Sequence, residues 1–218
     1  MYRQKRFHWY EATCFVLAKQ PLLVQCTDMQ SIAEMPFVAG NAALDFVNTA
    51  EERGDPAAGD ALTTPADLRL WGRRYGLITR AAAPDDGAGR EFEKALEARE
   101  LLYAVFSARV HHRAPPKAAL ARLAEFGAEA YRAATLEAGA DGNLRWRWNR
   151  SRLSTIRHVA VTTGIDLLHS APSPRLKQCP GEHCGWFFLD TTKRGNRRWC
   201  SMGECGQEAK NLRRRKPA

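Results

Sequence analysis

Apolar positions recur at helical spacing through most of the chain and at strand spacing only in short stretches. Thr64-Pro65 reads as an N-cap followed by proline at the first helical position. It opens a helix through about Tyr75, with Leu68, Trp71 and Tyr75 on one face and Gly76 as the stop. Residues 90–112 carry Phe92, Leu96, Leu101, Leu102, Val105 and Phe106 between charged faces, the pattern of a long amphipathic helix. Pro115-Pro116 breaks it and starts another helix through about Tyr131, with Leu120, Leu123 and Phe126 inward. The period then changes. Leu144-Arg-Trp-Arg-Trp148 alternates strictly, follows the turn signal Asp141-Gly-Asn143, and pairs naturally with Thr135–Glu137 as a β-hairpin. Trp146 and Trp148 are read as one packed face of that hairpin rather than as base-stacking platforms. Leu153, Ile156, Val159 and Ala160 begin a further helix ending near Leu168.

Phe37–Thr49 is apolar around Leu44, Phe46 and Val47, a buried segment whose period does not separate strand from helical turn. Residues 1–35 mix basic, aromatic and apolar residues without a sustained period. They are read as a poorly ordered extension, open to being an upstream start ahead of Met29 or Met35. Ala171-Pro-Ser-Pro174 is a stiff linker. The expected organisation is therefore an extension over 1–35, a domain over 36–170 and a small module over 171–218. The fold class is α+β: a mainly helical domain with a small hairpin, then a treble-clef-like finger.

Charge sharpens the division. The chain carries +9, and residues 174–218 supply +7 of it, with eleven Lys or Arg against four acids. Residues 31–173 balance at 18 basic and 18 acidic. A neutral body with a basic end is the asymmetry expected of a protein that lays one end on a polyanion. No run approaches the ~20 apolar residues that span a bilayer, and the first residues make a poor signal peptide, so a reducing cytoplasm is expected.

Four of the six cysteines fall in that basic end, as Cys179-x4-Cys184-x15-Cys200-x4-Cys205. Two close pairs can each supply two thiolates from one turn, and the chain between them returns the second pair to complete a tetrahedron. Four thiolates suit Zn2+ and fill its coordination shell, which points to a structural ion. Two disulfides would need an oxidising compartment, and an iron–sulfur cluster is the other all-cysteine alternative. Between the pairs, Gly185–Leu189 reads as a strand, Lys193-Arg-Gly-Asn196 as a turn and Arg197–Trp199 as the returning arm. After Cys205 a helix is expected through Arg215. Lys193, Arg194, Arg197 and Arg198 on the hairpin, with Lys210, Arg213, Arg214, Arg215 and Lys216 on the helix, are candidate nucleic-acid contacts.

The run Cys184-Gly-Trp-Phe-Phe-Leu-Asp190, with Arg197-Arg-Trp-Cys-Ser-Met202 and Cys205-Gly206, resembles the CGNR zinc finger. Ala43-Leu-Asp-Phe-Val-Asn-Thr49 resembles the opening of the ABATE domain that precedes such fingers. The resemblance implies a bacterial stress-induced transcription regulator: a mixed α/β domain before a DNA-binding finger, with the four cysteines as ligands to zinc. Where the family spells Cys-Gly-Asn-Arg, this chain has Cys205-Gly206-Gln207-Glu208. Glu208 also suits a helix N-terminus.

DNA is thus the expected partner, with RNA or protein as alternatives for a finger of this type. The neutral domain is expected to sense a small-molecule effector or to form an oligomer, with Asp45 and Asn48 as the candidate pocket residues. Catalysis is not expected: Asp45, Asn48, Glu51 and His111-His112 show no nucleophile–base spacing, phosphate loop or metal motif.

Overall fold

The computed structural model describes residues 31–51, 53, 59–79, 87–170 and 175–215. The extension over 1–30, with Cys14 and Cys26, the linker over 171–174 and Lys216 lie outside them. Six helices and two antiparallel two-stranded sheets follow one another among the described residues. The helices are α1 (Ala42–Val47), α2 (Pro65–Arg74), α3 (Ala88–Val110), α4 (Lys117–Arg132), α5 (Ser154–Ser170) and α6 (Cys205–Arg215); the strands are β1 (Thr135–Ala138), β2 (Leu144–Arg147), β3 (Leu176–Gln178) and β4 (Phe187–Leu189). The α+β class is as expected.

Helix α5 is the centre. It packs on α1, α3 and α4, and buries Ile156, Ala160, Val161 and Leu167 among them. Gly164 makes that closeness attainable: a Cβ there would lie 2.6 Å from Leu102 Cδ2 and 3.1 Å from Ala43 Cβ. The 37–49 segment resolves as the one-and-a-half-turn helix α1, whose N-cap Asn41 accepts the Ala43 amide at 2.8 Å. All six of its residues are buried. A helix enclosed on every side shows no amphipathic stripe, which is why its period does not reveal it.

Helix α2 opens as expected. Thr64 and Asp67 form a capping box, and Asp67 also accepts the Thr63 hydroxyl at 2.8 Å. Its Trp71 lies between Phe46 (5.3 Å between ring centroids), Tyr75 (5.0 Å) and Phe37 (5.9 Å). The packed body already includes the residues just ahead of 36. Ile32 and Met35 are in the core, and the Arg74 guanidinium donates to both their carbonyls. The expected extension over 1–35 therefore overreaches at its C-terminal end, because two apolar residues there find core positions.

The hairpin β1–β2 pairs the two expected segments, with Leu136 opposite Trp146 and Ala138 opposite Leu144. The expected packed face is only partly realised. Trp148 donates to the Ala130 carbonyl at 2.9 Å, but Trp146, against Tyr131, remains 43% exposed and Leu144 66%. The ribbon follows the end of α4, and Trp146 and Trp148 also line a shallow cleft with Leu77 and with Thr155 and Val159 of α5.

Candidate metal centre and nucleic-acid interface

The C-terminal module is built on a hairpin different from the one the sequence suggests. β4 pairs with β3 upstream, Leu176 opposite Leu189 and Gln178 opposite Phe187, not with Arg197–Trp199. The reason lies in the first cysteine pair. The Cys179 amide donates to the Trp186 carbonyl at 2.7 Å and the Gln178 side chain to the Gly185 carbonyl at 2.8 Å, so the knuckle itself closes the hairpin. Gly185 turns the chain there with φ of 67°. Inside the knuckle Gly181 leaves room for the sulfurs: a Cβ would lie 3.0 Å from Cys184 Cβ and 3.2 Å from Cys205 Sγ.

The four thiols converge, all within 4.8 Å of one another. Cys184 Sγ is 3.5 Å and Cys205 Sγ 3.6 Å from Cys200 Sγ. Cys179 and Cys200 are buried beside Phe188, while Cys184 and Cys205 are half-buried. A tetrahedral ion with ~2.3 Å bonds to sulfur has edges of about 3.8 Å, so this donor set matches a metal in spacing and in chemistry. Without a cation the cluster frustrates itself. Hydrogen bonding to Cys179 pushes the Cys184 and Cys200 thiols up and burial pushes up Cys205, while the bonds Cys179 receives hold it down. Four thiolates together require a positive ion among them.

The basic residues divide into two groups. Lys177 Nζ donates to Asp190 at 2.7 Å, to the Gly195 carbonyl at 2.7 Å and to the Arg197 carbonyl at 3.0 Å. Arg175 donates to the Asp190 and Thr192 carbonyls. Arg197, expected on the nucleic-acid face, is turned inward. Its guanidinium lies over the Phe188 ring at 4.6 Å and donates to the carbonyls of Trp199, Cys200 and Val38. That is a correction to its assignment: several carbonyls converge where only a multi-donor fork can satisfy them. Lys193, Arg194 and Arg198 in the 190–200 loop are exposed, as are Lys210, Arg213, Arg214 and Arg215 on α6.

Asp190 organises that loop and sequence reasoning missed it. It accepts from Lys177, from the Thr192 hydroxyl at 2.6 Å and from the amides of Thr192 and Arg197. Burial pushes its pKa up, but these donors together hold the carboxyl well below the usual range. The signal available was Asp followed by Thr-Thr, a side-chain-capped turn.

Two models of known families match the chain. Residues 40–171 match ABATE, described as "Putative stress-induced transcription regulator". The chain belongs to the ABATE family. Residues 175–216 match the CGNR zinc finger, so the cysteine cluster sits in a zinc-finger module. No curated protein matches the chain.

In this ABATE protein the module is not hung loosely from the body. Phe187 enters the main core against Tyr103 (5.5 Å) and Phe106 (6.0 Å). Asn48 donates to the Phe187 carbonyl at 2.9 Å and accepts its amide at 2.8 Å, acting as a strand partner from the end of α1. Asp45 and Asn48 do not share a pocket. Asn48 makes this clamp and also lines a cavity with Arg53, Tyr103, Gln178 and Trp186, whereas Asp45, 2% exposed, accepts the Ala39 amide at 3.0 Å and the Tyr75 hydroxyl at 3.3 Å.

Burial outweighs those bonds and raises the Asp45 pKa to about 6. A carboxyl with its folded pKa above its unfolded one loses stability as pH rises between the two. Asp45→Asn keeps the acceptor for Ala39 and carries no charge. Relative to the parent it should gain stability progressively from pH 4 to pH 6, reaching roughly 1–3 kcal/mol at pH 7. Urea unfolding across that range checks this; a difference that does not vary with pH would show that Asp45 ionises alike in the folded and unfolded chain.

Proposed function

We propose that this protein is a DNA-binding transcription regulator whose four cysteines hold a structural zinc ion. The observation that carries the reading is the state of the basic residues. Once Arg175, Lys177 and Arg197 are assigned to internal carbonyls, seven cations remain among the described residues of the module, Lys193, Arg194, Arg198, Lys210 and Arg213–Arg215. All are exposed, and among the described residues none pairs with a carboxylate. In the body some exposed arginines are matched, Arg122 to Glu97 and Arg145 to Asp141, and others such as Arg109 are not; the module concentrates its unmatched cations in one loop and one helix. Unmatched charge on one module is the footprint of phosphate contact. Only Gly206 of α6 is buried, which leaves the helix free to enter a groove.

The zinc would be held by Cys179, Cys184, Cys200 and Cys205, and would fix the knuckle, the loop and the start of α6 relative to one another. With all four positions taken by sulfur it has no place for water, so its part is architectural. The helical body is read as the sensing or oligomerising part, and the protein as a binder rather than an enzyme, since Asp45 and Asn48 are committed to structure. No helix among the described residues is long and apolar enough to cross a membrane.

Replacing Arg213, Arg214 and Arg215 together by Ala should weaken duplex binding roughly tenfold or more at moderate salt and flatten the slope of log K against log[salt] by about 2–3. Fluorescence anisotropy with labelled duplex measures both, and competition by RNA and by heparin separates duplex preference from general attraction to polyanions. Unchanged affinity and slope would remove α6 from the interface.

A further inference from the structure

The end of the helical body remote from α2 holds an apolar groove that neither family description assigns. It opens where the last turns of α3 and α5 meet the first turns of α4, and encloses about 430 Å³, within the ~300–1000 Å³ of small-molecule sites. Val105 and Leu123, both buried, form its floor, and Ile165 and Leu168 are half-buried beside them. Leu120 stands 44% exposed on the wall, a large apolar side chain left to water.

The rim is basic. Arg109, Arg113 and His169 lie around the opening, and no Asp or Glu lines the groove. Arg109 has no carboxylate partner among the described residues, and Arg113 reaches only the Ser107 hydroxyl at 3.3 Å. Arg109 stands in the last turn of α3, where a cation complements the helix dipole. Arg113 lies beyond α3 and has no such reason to be there. Apolar walls under a cationic rim complement an amphipathic anion.

We propose that this groove binds a small hydrophobic carboxylate, its chain or ring on Leu120, Leu123 and Leu168 and its head between Arg109 and Arg113. Calling that molecule the effector of the regulator rests on the function proposed above. The groove is placed to report. Residues 109–113 alternate between the two parts of the molecule: Arg109 and Arg113 line the groove, while Val110 and His112 face a cleft shared with Leu176, Lys177 and Pro180 of the finger. His112 takes φ of 53°, the one non-glycine residue with positive φ among those described, so the turn joining groove to finger is tightly constrained.

Decanoate and decanol serve as matched probes on the zinc-loaded full chain. Calorimetry should show decanoate binding one-to-one and decanol at least about tenfold more weakly, the margin of a charge-assisted pair. The double variant Arg109→Gln/Arg113→Gln should bring decanoate down to the alcohol's affinity. Ala124→Trp, which fills the groove from an exposed position, should abolish both while leaving the thermal melt unchanged. Equal affinity for acid and alcohol, no binding of either, or binding that survives Ala124→Trp overturns the site and leaves the rim cations as helix-end partners only. With decanoate saturating, duplex affinity should change at least about threefold in the parent and not in the double variant. Decanoate binding with unchanged duplex affinity overturns the effector role; decanoate binding by a chain that binds no duplex overturns the regulator reading and not the site.

Discussion

The purified chain should carry one zinc ion per molecule, and Cys200→Ser should reduce that to background. Elemental analysis after extensive dialysis measures both. The effect is large because the finger buries little apolar surface of its own, whatever its hydrogen bonds. Its own buried cluster consists of Cys179, Cys200 and Phe188, and a structural zinc site in a small module contributes on the order of 10–16 kcal/mol at neutral pH. The loss should also reach the body. Phe187 stands beside Phe188 on β4 and packs on Tyr103 and Phe106, and Asn48 clamps its backbone from α1. Chelation should therefore lower the melting temperature of the whole chain by several degrees and alter the emission of Trp186 and Trp199, both packed beside the cluster. Far-UV helicity should fall only slightly, since α3, α4 and α5 are held by the main core and not by the cysteine cluster. A chain that holds no zinc, or a Cys200→Ser variant that keeps a full equivalent, would refute the site.

The longer helices were legible because their faces differ. Helices α2, α3 and α4 each have a buried stripe and a solvated side, and proline or a capping box marks where α2 and α4 begin; α5, enclosed through most of its length, was marked by the spacing of its apolar residues alone. Helix α1 was not, being enclosed all round. The cysteine spacing announced the metal centre, but three-residue strands have no period to read, so β4 was assigned the wrong partner. The pairing follows from how the knuckle closes on Cys179, a geometry that spacing alone does not contain. Arg197 and Arg198 show the same limit at the interface. As neighbours in a basic run they are indistinguishable; folded, one satisfies a group of carbonyls over Phe188 and the other faces solvent. Asn48 was noticed as a polar residue in an apolar segment, the right signal. Its partner lies 139 residues away, so the sequence does not show that its amide clamps Phe187.

Arg157→Ala should destabilise the body by about 3–5 kcal/mol, the cost of removing one partner from a buried ionic group, and lower its melting temperature by roughly 10 °C. The Arg157 side chain has no exposed surface. Its Nε and Nη2 donate to Glu91 at 2.6 and 3.2 Å, and Nη1 and Nη2 to Glu129 at 3.3 and 2.8 Å. The guanidinium lies 4.8 Å from the centre of the Phe126 ring, so α3, α4 and α5 meet on this one side chain. Alanine leaves a cavity and two carboxylates facing each other, Glu91 only 14% exposed. Arg157→Lys keeps the charge without the fork and should recover part of the loss. Arg157→Met with Glu91→Gln and Glu129→Gln should recover most of it, because the penalty comes from the stranded charges more than from the pairs themselves. His158 supplies an independent reading. Burial first, and the Arg157 charge second, lower its pKa to about 4, so it costs stability as pH falls from 6.5 towards 4. Without the Arg157 charge its titration, followed by NMR, should move upward, and the acid-side loss should shrink. A melting temperature within two degrees of the parent in Arg157→Ala, with His158 still titrating near 4, would mean that the three helices do not depend on this ion cluster.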